Sequence, residues 1–102
     1  MRASTFVELA VLAALSGCAA FVPEPTALMA GGDEARLADL RTGRELYVAK
    51  CSACHPLHDV TKFSGERWTA EVHEMLKLKK VRLSSDERDR LILYLTVASG
   101  RD

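Results

Sequence analysis

The stretch Cys51-Ser52-Ala53-Cys54-His55 decides what this chain can be. Two cysteines three positions apart lie on one helical turn, so their sulfurs reach the same edge of a ligand. A bare Cys-x-x-Cys also serves zinc and thiol redox chemistry. The histidine that follows directly turns the pattern into the attachment signature of one covalent haem c. Cys51 and Cys54 would add to the two vinyl groups on one porphyrin edge, and His55 would present its imidazole to the iron.

The start of the chain points the same way. Arg2 precedes an apolar run from Val7 to Leu15, broken by Glu8, and small residues follow. That is the pattern of a secretory signal, placed at residues 1–17. The run is too short for the ~20 residues of a spanning helix. Leu15-Ser16-Gly17-Cys18 resembles the lipobox of bacterial lipoproteins. The resemblance implies cleavage before Cys18, acylation of that cysteine and a membrane anchor through the lipid. The competing reading is an ordinary cleaved signal in which Cys18 is incidental. Lipidation of Cys18 and haem on Cys51 and Cys54 account for all three cysteines and leave none for a disulfide. Both signals imply the periplasmic side of a bacterial membrane. Ala19, where an Asp would retain a lipoprotein on the inner membrane, favours the outer one.

Charge is balanced, with 14 basic and 14 acidic residues, so no global field argues for nucleic acid. Removing the signal leaves roughly 85 residues, one small domain that usually needs a staple. A covalent haem fits that need. Residues 18–32, with Pro23, Pro25, Gly31 and Gly32, read as the lipidated cysteine and a flexible tether. Residues 33–102 read as the folded domain, all-α. Leu37, Leu40, Leu46 and Tyr47 recur at helical spacing over Asp33 to Lys50, and Pro56 to Phe63 forms a loop. Ser64 is the predicted N-cap of a helix to about Lys77, with Trp68, Val72, Met75 and Leu76 on its apolar face. Ser84 and Glu87 make a capping box for the last helix. Leu91, Ile92, Leu95 and Ala98 form its stripe, and Gly100 suits its end.

From Thr42 to Ser99 the chain resembles the class I c-type cytochromes. Gly43 and Tyr47 occupy the small and aromatic positions that this family uses where its first and last helices cross, and Leu91 and Tyr94 supply the other half. The resemblance implies a small bundle of three to four helices around the haem. It also implies a role for Trp68 in bonding a haem propionate, beside which plain core packing stands as the other reading. The chain departs from the family after the haem motif. Pro56 follows His55 at once, and no second proline precedes the next helix to hold the histidine ring.

Function turns on the position opposite His55. A methionine there gives a six-coordinate iron suited to electron transfer. Met75 lies seven residues after Trp68, on the same helical face, while Met1 belongs to the signal and Met29 to the tether. The alternative for Met75 is a core methionine filling a gap. His73 competes, but it lies about 140° round the helix from Trp68, on the side expected to face solvent. His58 reads as a surface residue. The expectation is a monohaem electron carrier, not an enzyme, that exchanges single electrons with redox protein partners. Lys77, Lys79, Lys80 and Arg82 form a basic patch, either a docking site for an acidic partner or a solvated helix end. An open iron position would mean a haem-based gas sensor or small catalyst instead. A zinc site built from Cys51, Cys54 and two of His55, His58 and His73 is the remaining alternative.

Overall fold

Helix boundaries fall where the capping chemistry puts them. The computed structural model describes residues 20–53 and 56–100. Asp33 caps α1 (Glu34–Leu46), its carboxylate accepting the Arg36 amide at 3.2 Å. Ser64 caps α2 (Gly65–Lys77) through the Arg67 amide at 3.1 Å. At α3 (Ser85–Ser99) the capping box is complete. The Glu87 amide donates to Ser84 Oγ at 3.1 Å and the Ser84 amide to Glu87 Oε1 at 2.9 Å. Those bonds satisfy amides that a helix start leaves without partners. Gly100, with φ of 63°, ends α3 in the left-handed conformation that glycine adopts at little cost. The described residues contain three α-helices and no strand, so the fold is all-α.

The first helix differs from expectation at its end. Helical geometry continues past Leu46, but Tyr47–Cys51 forms a π-helical turn that delivers the chain into the cysteine motif. Single π-turns of this kind concentrate at functional sites. Within the loop before α2, Val60–Lys62 makes one 3₁₀ turn. No helix among the described residues is long and apolar enough to cross a membrane. The expected signal at 1–17, the expected acylation site Cys18, and the motif residues Cys54 and His55 lie outside the described residues.

The segment read as a flexible tether is instead packed against the domain from Phe21 onward. Arg44 donates to the Val22 carbonyl from Nε at 3.1 Å and from Nη2 at 3.0 Å, and pairs with Glu24 at 3.0 Å. The Tyr94 hydroxyl donates to the Pro23 carbonyl at 2.7 Å. Ala30 is buried, and Val22 and Met29 pack on the core. Proline and glycine content suggested a free chain; remote donors claiming its carbonyls hold it down.

Helix α3 packs extensively against both α1 and α2. Leu91, Tyr94 and Leu95 supply its buried face, opposite Leu40 and Tyr47 of the first helical segment and Trp68 and Val72 of α2. Gly43 marks the α1–α3 crossing. A Cβ there would overlap the Arg90 carbonyl oxygen and lie 2.7 Å from Tyr94 Cβ. Glycine in a helix costs about 1 kcal/mol against alanine, so proximity, not propensity, explains it. Gly43→Ala is expected to lose about 2–4 kcal/mol of stability in urea unfolding despite that propensity gain. A stabilising Gly43→Ala would show that the helices do not meet here.

Candidate functional site

The π-turn and α2 are the two walls of an apolar cleft. Tyr47, Lys50 and Cys51 line it from the π-turn, and Leu57, His58 and Phe63 from the following loop. Trp68, Glu71, Val72 and Met75 come from α2, Lys80 and Val81 from the turn after it, and Leu91 and Leu95 from α3. The cleft has a volume of about 120 Å³ and opens to solvent on one side.

Local chemistry builds each wall. Phe63 precedes the Ser64 cap and stacks edge-on against Trp68, with ring centroids 4.9 Å apart. This is a hydrophobic staple between the residue before the cap and the fourth helical position. Tyr47 meets the other side of Trp68 at 5.7 Å, and His58 meets Phe63 at 6.2 Å, both edge-to-face. Such pairs prefer this geometry and each contribute about 0.5–1.5 kcal/mol beyond their burial. At the far end of α2, Lys79 takes a left-handed φ of 58°. The Lys80 amide then reaches back to the Met75 carbonyl at 3.0 Å, closing the helix as a Schellman turn and setting Lys80 and Val81 on the cleft rim.

Cys51 and Met75 thus line one cleft, and both are half-buried. Their designated partners, Cys54 and His55, are outside the described residues, as is Cys18. Trp68 lines the cleft as well, but its indole N–H donates to the Val60 carbonyl at 2.8 Å. That proton is already engaged, so the propionate bond implied by the resemblance gives way to a packing role. His73 is exposed and does not line the cleft. His58, expected at the surface, is half-exposed and also lines the cleft, with Lys62 Nζ 3.4 Å from Nδ1. The missed signal was the apolar bracket around it, Leu57, Val60 and Phe63, which marks a loop folded inward.

The residues present suit a flat apolar cofactor held through sulfur. The lining is mostly aliphatic and aromatic, and two soft donors, Cys51 and Met75, reach it from opposite walls. Among the described residues, no group of three or more His, Cys, Asp or Glu side chains converges to hold a metal ion. A zinc site drawing on His73 is therefore not assembled by them.

Two tyrosines fasten non-helical segments, one the loop at the cleft and the other the N-terminal segment. The Tyr47 hydroxyl donates to the His58 carbonyl at 2.7 Å, as Tyr94 does to Pro23. Burial above all, with a lesser contribution from neighbouring Cys51, pushes Tyr47 from 10.0 up to about 12. Burial also raises Tyr94 to about 12, against the opposing charge of Arg44. Both phenols bind their protons more tightly in the folded chain, so their stabilisation is complete below pH 10 and is lost as pH rises towards 12. The urea midpoint is expected to fall steeply between about pH 9 and 12, and the doubly substituted Tyr47→Phe, Tyr94→Phe protein is expected to show a flatter decline. An identical pH slope in that variant would detach the phenols from alkaline unfolding.

No protein-family model matches the chain, and neither a curated protein nor a solved structure matches it, so the site is read from its own geometry.

Proposed function

We propose that the chain is a lipid-anchored monohaem c-type cytochrome, a carrier of single electrons between redox proteins on the periplasmic side of a bacterial membrane. The observation that carries this reading is the Cys51-Ser52-Ala53-Cys54-His55 motif, whose first cysteine lines the same cleft as Met75. In this reading Cys51 and Cys54 form the thioethers, His55 and Met75 are the axial ligands, and Cys18 carries the lipid. The bound haem supplies a one-electron iron couple.

The chain's own residues do the rest. Tyr47, Phe63, Trp68, Val72, Leu91 and Leu95 keep water from the inner wall of the cleft. A dry, apolar setting raises the energy of excess charge and so tunes a redox centre. Lys50 and Lys80 stand at the rim, and Lys77, Lys79 and Arg82 are exposed nearby in sequence. This cationic edge suits an acidic partner and no bond-making chemistry. The all-helical fold, the Gly43 crossing and the thioether on the facing wall support a cytochrome c-like bundle.

The test is the absorption spectrum of the haem-matured protein, oxidised, reduced, and reduced with carbon monoxide. A low-spin reduced spectrum unmoved by carbon monoxide, with a weak far-red sulfur-to-iron band when oxidised, is expected. Met75→Ala is expected to make the same protein bind carbon monoxide. A wild-type spectrum that already shifts with carbon monoxide would overturn the carrier reading in favour of a sensor or small catalyst. For the docking edge, the electron-transfer rate to an acidic partner is expected to fall roughly tenfold from low to about 0.5 M salt. A flat salt response would remove the docking role.

A further inference from the structure

Among the described residues, Phe21 is the first whose main chain is tied to the domain at both of its polar groups. Its amide donates to Asp59 Oδ1 at 2.6 Å, and its carbonyl accepts the Val60 amide at 3.0 Å. The next carbonyls, of Val22 and Pro23, are held by Arg44 and Tyr94. Between the acylation site Cys18 and Phe21 stand only Ala19 and Ala20. Three residue steps span at most about 10–11 Å even when fully extended. Resting on lipidation of Cys18, that leash is far shorter than a domain is wide.

We infer that the domain does not swing on a tether but stands on the bilayer, with the Phe21 end and the loop at Asp59 and Val60 turned to the lipid surface. Exposure fits this. Phe21 is 54% exposed although it sits in a segment otherwise fastened down, and Leu28 of the same segment is 90% exposed. An aromatic ring within one leash length of the acyl chains reaches the headgroup boundary, where apolar side chains settle about 5–10 Å deep. No helix among the described residues is long and apolar enough to cross the membrane. The loop in contact with Phe21 also carries Leu57, His58 and Phe63 of the cleft, so the cleft keeps a fixed attitude to the lipid plane.

The experiment uses the full, lipidated chain in vesicles of phosphatidylethanolamine and phosphatidylglycerol. A photo-reactive phenylalanine analogue replaces Phe21 in one variant and Asp86, exposed at the start of α3, in another. Intact mass and flotation with the vesicles are measured first, and lipid adducts after illumination second. The position-21 variant is expected to give roughly tenfold more lipid adduct than the position-86 variant. Equal, low adduct yields from lipidated protein that floats would overturn the standing geometry and restore a free tether. A chain that carries no acyl mass and does not float would overturn the lipidation reading, and the standing geometry with it.

Discussion

Where α1 and α3 cross, the Gly43 backbone lies against the Arg90 carbonyl and Tyr94 Cβ with no room for a side-chain carbon. This contact sets the depth at which the two helices interlock. One turn beyond Gly43, Tyr47 is thereby carried into the core, and its hydroxyl reaches the His58 carbonyl. Tyr94, on the other helix, is buried at the crossing and extends to the Pro23 carbonyl. Close backbone approach lets two large rings fill the flanks and still place their polar tips on loops. A wider crossing would leave both phenols short of their acceptors.

Val60 is the second point on which much converges. Its side chain is fully buried, its carbonyl accepts the Trp68 indole, and its amide donates to the Phe21 carbonyl. One residue thereby joins the cleft wall, the loop after the cysteine motif and the N-terminal segment. A loop that short of secondary structure would ordinarily be mobile. Here its polar backbone groups are satisfied by the Tyr47 and Trp68 side chains and by the Phe21 main chain, as burial requires.

The helices were legible because their signals are local. Asp33, Ser64 and the Ser84–Glu87 pair each satisfy amides within three residues, and Gly100 closes α3. The Gly43 crossing was legible through the resemblance in which Gly43 and Tyr47 match one half of such a crossing and Leu91 and Tyr94 the other. Met75 was placed correctly on the apolar face because its register with Trp68 is a helical property. What escaped was non-local. Nothing near Pro23 or Val22 in sequence announces that Tyr94 and Arg44 will bind their carbonyls, so composition alone argued for a loose tether. The cleft-lining place of His58 escaped for the same reason, since it depends on Phe63 and on Tyr47 holding its carbonyl. The π-turn at Tyr47–Cys51 has no compositional mark, being a small adjustment in ladder register that tertiary packing selects.

The Schellman closure after α2 divides freedom unevenly around the thioether. With the Lys80 amide on its carbonyl, the main chain at Met75 is locked at both ends of the turn. The side chain retains three soft torsions and a polarisable tip. Displacement of anything seated in the cleft would be followed by the sulfur through torsional rotation, while the scaffold behind it stays still. The helix end acts as a rigid bracket carrying a compliant arm.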